Sequence, residues 1–366
     1  MKFFTYTSAF LALCSRLVVH GAHSQTTSAS AAQISAGYHV IYSYSGTTPP
    51  DQLTELIKKG AIGGILLFGE NVSPSLPSQV TQWQSVYRSS SAYAGSPLLI
   101  MTDQEGGQVR RLPGGPSLSE KEIGASANPV QAATSAGQQA ASALRTYANN
   151  VNLAPVGGVY RQSGNFLDQY GRSYSNQSSI TSECISAFIK SQQSNGDVLA
   201  TAKHFPGLGS AKAGQDTDAK PVTINTSLDE LRSIDEKPFQ SAIQADVDLI
   251  MPSWALYPAL DAKFPSGLSR KWVTDELRDR LGFEGVIITD AIEAGGLNAF
   301  GANDSHRSIL AIQAGQDSIL VGARNVEQGW QIVQDLAIAS INGSINAQEW
   351  SQSTQRILSL RSKITI

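Results

Sequence analysis

Short apolar runs alternate with longer amphipathic stretches along most of the chain. The apolar runs predict eight β-strands, at His39–Tyr42, Gly64–Phe68, Pro97–Met101, Val151–Pro155, Val198–Ala202, Val247–Met251, Val286–Thr289 and Ser318–Val321. Between them, helices are predicted at Asp51–Lys59, Pro129–Asn149, Leu228–Gln244 and Ser269–Leu281, the last with Ser269 as its cap. Strands that alternate with helices in this way are typical of a parallel sheet.

Eight strand and helix units predict an α/β protein with the (β/α)8 TIM-barrel fold in a single domain. A doubly wound sheet would carry a glycine-rich phosphate-binding turn after its first strand, and Tyr44-Ser45-Gly46-Thr47 does not have that form. In a barrel, the polar residues just after each strand face the same end of the molecule, where barrel enzymes have their active sites.

The first residues have the pattern of a secretory signal peptide. Lys2 is followed by a short apolar run that Ser15-Arg16 interrupts, too early for a membrane anchor. We expect residues 1–24 to be removed, residues 25–34 to be a disordered Ser/Ala/Thr-rich spacer, and residues 35–366 to form the barrel domain. The protein is then secreted and extracellular, with no membrane attachment after signal removal.

Composition and charge exclude several classes of partner and cofactor. The formal net charge is −3 and the basic residues are scattered, so we expect no nucleic acid partner. The histidines left after signal removal have no metal-ligand spacing, and Cys184 is then the single cysteine. We therefore predict a monomer with no metal, no cofactor and no internal disulfide. Five Asn-x-Ser/Thr sequons are candidate glycan sites, at Asn71, Asn176, Asn225, Asn303 and Asn342.

Polar residues follow five of the predicted strands. They are Asp103-Gln104-Glu105, Gly171-Arg172, Lys203-His204, Ser253-Trp254 and Asp290. Carboxylates and guanidinium groups bind hydroxyls and an indole stacks on a sugar ring, so this set suits a polyhydroxylated ligand. Asp290 ends a buried run and precedes the small Ala291, as suits the nucleophile of a retaining glycosidase.

Several of these stretches together resemble glycoside hydrolase family 3, specifically its single-domain β-N-acetylglucosaminidase branch. The matching stretches, in the family's order, are Gly63-Gly64-Ile65-Leu66-Leu67-Phe68, Asp103 to Arg111, Gly171-Arg172-Ser173-Tyr174, Lys203-His204-Phe205-Pro206-Gly207 and Gly285 to Asp290. The resemblance implies that Asp290 is the nucleophile. It also implies that Asp103, Arg111, Arg172, Lys203 and His204 bind a terminal N-acetylglucosamine.

The sequence departs from the family at the acid/base. Bacterial members continue the fifth loop with His-Gly and then supply a histidine from an Asp-Ser-His triplet, whereas this chain has Leu208 and Asp216-Thr217-Asp218. Asp218 is the candidate proton donor and Asp216 the second choice, both on a Gly/Ala/Ser loop expected to be mobile. The literal Asp304-Ser305-His306 follows the nucleophile and opens a predicted helix, so it is interpreted as a helix cap.

The function predicted from these features is secreted, retaining, exo-acting hydrolysis of terminal β-linked N-acetylglucosamine from chitin- or peptidoglycan-derived oligosaccharides. A carboxylate as acid predicts a more acidic pH–rate profile than a histidine would give. Three alternatives are a glycan-binding protein that lost its acid/base, a β-glucosidase of the same family, and a Schiff-base aldolase that uses Lys203. The second is disfavoured because larger family β-glucosidases take their acid/base from a second domain, and this chain ends with Ile364-Thr365-Ile366, shortly after the helix expected to follow the eighth strand.

Overall fold

The computed structural model describes residues 31–301 and 303–364. These residues form a closed barrel of eight parallel strands with helices around it. In chain order these strands are β1 (Val40–Ser43), β2 (Gly64–Leu66), β3 (Leu99–Thr102), β4 (Val151–Asn152), β5 (Leu199–Phe205), β6 (Leu249–Pro252), β7 (Val286–Ala291) and β8 (Ser318–Leu320). Each strand pairs with the next, and β8 closes the barrel on β1 through Val40 opposite Ile319. The predicted (β/α)8 barrel is confirmed.

Alternation of side chains along each strand builds two apolar layers. Ile41, Met101 and Ile288 pack together inside the barrel, while their neighbours Val40 and Ile287 pack in the outer clusters. Because every strand is buried on both faces, its sequence is a nearly continuous apolar run, which is why the strands could be found from sequence.

Helices surround the barrel. The α-helices are Asp51–Lys59, Leu76–Arg88, Glu120–Gly124, Pro129–Thr146, Phe166–Gln169, Ser178–Gln192, Leu228–Glu230, Lys237–Gln244, Asp304–Ala314, Val326–Ile341 and Ala347–Ser362. Two π-helical segments span Leu231–Asp235 and Lys271–Arg280, and 3₁₀ turns occur at Gly69–Asn71, Gln193–Asn195, Ser266–Leu268 and Gly295–Phe300. None of the helices in the described ranges combines the length and apolarity that crossing a membrane requires.

Three sequence expectations about local structure are corrected. The single helix predicted over Leu228–Gln244 is broken before Lys237, because Pro238 has no N–H to continue the preceding turns and instead begins a new helix. The predicted strand Val198–Ala202 continues to Phe205, so Lys203 and His204 belong to β5. After β3 the chain forms an antiparallel hairpin of Gln104–Gly106 and Val109–Arg110 that the apolar pattern did not predict.

The structure bears on two further expectations, the disordered N-terminal spacer and the glycan site at Asn71. Residues 31–37 are helical, so the last four residues of the predicted disordered spacer are ordered. The predicted signal peptide and residues 25–30 lie outside the described residues. Asn71 is fully buried, and its side-chain amide donates to the carbonyls of Tyr44 and Gly46, so the folded protein does not present this sequon to solvent.

Asp317 is the centre of a buried ionic network below the barrel. One carboxylate oxygen accepts from the Arg356 guanidinium, with Nη2 at 2.8 Å, and the other accepts from Arg278 Nη2 at 2.8 Å and the Ile287 N–H at 2.9 Å. Its backbone carbonyl lies 2.7 Å from His39 Nδ1. This one residue therefore joins β7, β8, the Lys271–Arg280 segment and the C-terminal helix.

We expect Asp317→Ala to lower the free energy of unfolding by about 3–5 kcal/mol, because it leaves two partly buried guanidinium groups without their partner. Urea denaturation measures this loss. Lys58→Ala removes an exposed pair with Glu55 at 2.7 Å and should leave the free energy of unfolding unchanged within error. Equal effects of the two substitutions would show that the network contributes little.

Candidate active site

A cavity of about 340 Å³ opens at the carboxyl ends of the strands. All eight predicted site residues line it, namely Asp103, Arg111, Arg172, Lys203, His204, Asp216, Asp218 and Asp290. Apolar residues of the strands and loops, among them Leu66, Phe68, Leu153 and Met251, form much of the rest of its wall and floor. The structure thus brings together side chains that are scattered from residue 103 to residue 290 of the chain.

Four charged residues form what we call the ion cluster: Asp103, Glu105, Arg172 and Lys203. The Lys203 ammonium lies 2.6 Å from Asp103 Oδ1 and 2.8 Å from Glu105 Oε1. The other side of Glu105 is held by Arg172, whose Nε and Nη2 both donate at 2.8 Å. Arg111 contacts the cluster at its edge, with Nε 3.9 Å from Asp103 Oδ2.

The ion cluster keeps its members charged despite their burial. Burial alone would raise the pKa of Glu105, but Arg172 and Lys203 outweigh it and hold the pKa at about 2. Burial would lower the pKa of Lys203, but Asp103 and Glu105 raise it above its ordinary value. A firmly protonated ammonium cannot attack a carbonyl, so the geometry disfavours the Schiff-base alternative.

His204 projects between the ion cluster and the candidate nucleophile. Its Nε2 lies 3.7 Å from Asp290 Oδ2, and Nδ1 is buried without a hydrogen-bond partner among the described residues. Burial and then the charges of Lys203 and Arg172 lower the pKa of His204 well below its usual value. The imidazole is therefore neutral, and its contact with Asp290 is not an ion pair.

Asp290 and Asp218 are two carboxylates that influence each other across the cavity. Asp290 is the next-to-last residue of β7, and its Oδ1 accepts the Ala291 N–H at 2.8 Å. Burial and then the charge of Asp218 raise the pKa of Asp290 to about 7. Asp218 is exposed to the open cavity, and partial desolvation there followed by the charge of Asp216 raises its pKa as well. The pair can divide into a protonated and an ionised carboxyl group.

The loop that carries Asp216 and Asp218 was expected to be mobile, but it is tied by hydrogen bonds of its own. The Asp216 carboxylate accepts the Asp218 N–H at 2.9 Å, and its carbonyl accepts the Lys220 N–H at 3.1 Å. These bonds form a compact turn in which Thr217 is buried.

Sequence reasoning assigned no role to three carboxylates at or near the site. Glu105 was named among the polar residues after β3 and could have been assigned one, because Asp103 and Glu105 are two positions apart and share one side of an extended chain. Glu293 lines the cavity with its Oε2 3.2 Å from the Gly322 N–H, and Glu120 is fully buried with Oε1 accepting the Val156 N–H at 2.8 Å. Burial and then the charge of Glu105 raise the pKa of Glu120 well above its ordinary value, so this group is neutral. No local pattern marked Glu293 or Glu120.

The structure also decides two sequence expectations, one about Trp254 and one about the Asp304-Ser305-His306 triplet. Trp254 is only 1% exposed and its Nε1 donates to the Ala291 carbonyl at 2.9 Å, so the prediction that it stacks on a sugar is wrong. Its indole instead supports the backbone after Asp290. Asp304-Ser305-His306 begins a helix and His306 is exposed, which confirms that the triplet opens a helix, but the residue that caps this helix is Asn303.

Comparison with known proteins identifies the family. The model of the "Glycosyl hydrolase family 3 N terminal domain" matches residues 31–360. The chain belongs to glycosyl hydrolase family 3. It is 53% identical over 332 residues to an uncharacterized secreted glycosyl hydrolase of Arthroderma benhamiae, covering 91% of this chain and 94% of that protein. A β-hexosaminidase of Stenotrophomonas maltophilia is 34% identical over 289 residues, covering 76% of this chain and 81% of that protein.

A solved structure extends the family assignment to three dimensions. The family 3 β-N-acetylglucosaminidase from Paenibacillus sp. superposes with a TM-score of 0.83 at 29% identity. The match covers 91% of this chain and 62% of the Paenibacillus chain, so this protein spans less than two thirds of that relative. The prediction of a family 3 glycoside hydrolase on a TIM barrel is confirmed.

The described residues offer neither a second candidate active site nor a metal site. A hollow of about 750 Å³ lies at the opposite end of the barrel, but its buried Asp248 is already paired with Lys363 at 2.7 Å. Within residues 31–301 and 303–364, no three His, Cys, Asp or Glu side chains are grouped so that they could hold a metal ion. The carboxyl-end cavity is the one that contains the family's motif residues.

We expect Glu105→Gln to raise KM and lower kcat/KM for an aryl N-acetylglucosaminide, because it removes the charge that holds Arg172 and Lys203 in place. Steady-state kinetics measures the change. Glu276→Gln is the matched control, since Glu276 is also buried between two cations, Arg232 and Arg280, each at 2.6 Å, outside the cavity. If both variants lose only stability, Glu105 has no part in substrate binding.

Proposed function

We propose that this protein is a secreted, retaining exo-β-N-acetylglucosaminidase that releases terminal N-acetylglucosamine from chitin- or peptidoglycan-derived fragments. The observation that carries the proposal is the presence of two mutually interacting carboxylates, Asp290 and Asp218, in the same cavity as the ion cluster. A retaining glycosidase needs one carboxylate as nucleophile and a second group as acid and then base.

The ion cluster supplies the groups that would bind the terminal sugar. Asp103 retains lone pairs that can accept sugar hydroxyls, while Lys203 and Arg172 offer N–H donors fixed in direction by Glu105. Arg111 and neutral His204 add further donors at the cavity edge. The apolar floor closes the cavity below this set, which supports attack on a chain end.

The two carboxylates would act in sequence. In the first step Asp290 attacks the anomeric carbon, the glycosidic bond breaks, and protonated Asp218 gives its proton to the departing oxygen. In the second step ionised Asp218 takes a proton from water, the resulting hydroxide attacks the same carbon, and the bond to Asp290 breaks. Each step leaves Asp218 in the protonation state that the other step requires.

The sugar and the localisation are supported by relatives. The Stenotrophomonas relative is named a β-hexosaminidase and the Paenibacillus structure a β-N-acetylglucosaminidase, which favours N-acetylglucosamine over glucose. The Arthroderma relative is named a secreted glycosyl hydrolase, which supports the extracellular location. A signal peptide that ends at residue 24 and the monomeric state belong to the same proposal.

We expect Asp290→Asn to abolish turnover of aryl N-acetylglucosaminides, because no nucleophile remains. Asp218→Asn should lower kcat/KM by about 10²–10⁴-fold for poor leaving groups and much less for good ones, since only poor leaving groups need the proton. Azide should restore deglycosylation in Asp218→Asn. Measuring kcat/KM across a series of leaving groups tests the assignment.

Two neighbouring carboxylates provide the controls for the acid. Asp216→Asn and Glu293→Gln should keep the wild-type dependence on the leaving group, and whichever variant loses it instead would be the acid in place of Asp218. Sugar binding by calorimetry, without turnover of even activated substrates by the wild-type protein, would favour the glycan-binding alternative.

We expect kcat/KM to be highest in mildly acidic solution and to fall above about pH 7, because burial and Asp218 raise the pKa of Asp290 to about 7. The active pair holds one proton. Above the upper titration of the pair both groups are ionised and the acid is lost, and below the lower titration the nucleophile is protonated. Asp218→Asn removes the group proposed to donate the proton, so the fall in kcat/KM above neutral pH should disappear in this variant. A rate that keeps rising above neutral pH would contradict this assignment.

A further inference from the structure

The turn that carries Asp218 is bonded directly to the segment that follows the nucleophile. The Gly295 N–H donates to the Asp218 carbonyl at 2.7 Å, and the Gly296 N–H donates to the Thr217 carbonyl at 2.8 Å. Gly295 is five positions after Asp290 in the chain. Two consecutive backbone bonds therefore join the loop after β5 to the loop after β7.

The donors are available because a helix begins at this point. Gly295–Phe300 is a 3₁₀ helix, and the first N–H groups of any helix have no carbonyl partner within it. Here the carbonyls of Thr217 and Asp218 satisfy two of those groups. The two hydrogen bonds thus give partners both to the first N–H groups of the helix and to the carbonyl groups of the turn, which would otherwise be unpaired.

Close approach of the two backbones requires glycine at both positions. A Cβ on Gly295 would lie 2.3 Å from the Ala219 carbonyl oxygen, and one on Gly296 would lie 2.8 Å from the Thr217 carbonyl oxygen. Real Cβ atoms essentially never come within 3.0 Å of such atoms, so any side chain would push the loops apart. The contact is backbone against backbone, where no flexible side chain can give way.

Trp254 packs against the same segment and also holds the backbone after Asp290 in place. A Cβ on Gly296 would also lie 3.2 Å from Trp254 Cβ, and the Trp254 indole donates to the Ala291 carbonyl at 2.9 Å. Thr217 is buried between these elements with 4% of its surface exposed. The turn with Asp218, the two glycines and the indole therefore form one packed unit beside Asp290.

We propose that Gly295 and Gly296 are positioning residues that hold the Asp218 carboxyl group at a fixed place relative to Asp290. This inference rests on the proposed function, in which Asp218 is the acid and base. The proton donor is then carried by a turn bonded to the nucleophile loop, and both groups keep one spacing while the proton is transferred twice.

The test replaces each glycine with alanine. Gly295→Ala should lower kcat/KM by about 10²-fold on aryl N-acetylglucosaminides with poor leaving groups, the loss expected from a displacement of about 1 Å, with little change for good leaving groups. Gly296→Ala should show the same pattern with a smaller loss, because its contact is less severe. Amide hydrogen exchange over residues 216–220 should become faster in both variants.

Gly285→Ala is the matched control. Its Cβ would lie 2.6 Å from the Asp248 carbonyl oxygen, a similar clash with backbone, but just before β7 at the opposite end of the barrel. This variant should lose thermal stability while it keeps the wild-type dependence on the leaving group and the wild-type exchange rates over 216–220.

Two results would overturn the proposal. One is a loss in Gly295→Ala that is equal for good and poor leaving groups, and the other is exchange over residues 216–220 no faster than in Gly285→Ala. Failure of the proposed function is separate, because it would appear in Asp218→Asn and in the wild-type protein before any glycine is changed. The exchange measurement reports on the contact between the loops whether or not Asp218 is the acid.

Discussion

Closure of eight strands that all run in the same direction is the constraint on which the site depends. Because β8 pairs with β1 in parallel register, every strand delivers its carboxyl end to one rim of the barrel. Lys203 and Asp103 are 100 positions apart in the chain, yet their side chains meet at 2.6 Å on this rim. The motifs are separated in sequence because a helix lies between one strand and the next. The packing of these helices on the outside of the strands stabilises the closed barrel.

Charge is distributed unequally around the cavity, and this separates binding from chemistry. On one side, Lys203 and Arg172 compensate Asp103 and Glu105, so buried charges remain ionised and can hold polar ligands in fixed directions. On the other side, the only basic side chain within 4.0 Å of Asp290 among the described residues is His204, which is neutral. Asp290 and Asp218 therefore form no ion pair, and burial raises the pKa of each, as the proposed acid/base and nucleophile pair requires.

Sequence was sufficient for features that each strand determines by itself. The buried runs gave the strands, and the barrel rule then placed Asp103, Lys203 and Asp290 together. It was insufficient where a contact joins distant loops: Glu293 reaches Gly322 across two strand ends, and Trp254 packs inward because the Ala291 carbonyl accepts its N–H. Polarity at a strand end indicates the site, but whether an aromatic side chain faces ligand or protein is decided by the opposite loop.

The sequence departs from the family pattern at the acid/base in two places, at Leu208 and at Asp218, and the two changes are related through the pKa that a proton donor needs. A histidine near its ordinary pKa of ~6.5 can hold and release a proton around neutral pH, whereas an aspartate at ~3.9 would be ionised there. Leu208, where bacterial members have a histidine, is 2% exposed and lines the cavity, so it replaces a polar group with apolar surface. Desolvation in the cavity and then the charge of Asp216 raise the pKa of Asp218, which favours its protonated form. In the proposed mechanism, this raised pKa is what would allow the Asp218 carboxyl group to take the role that a histidine has in the bacterial members.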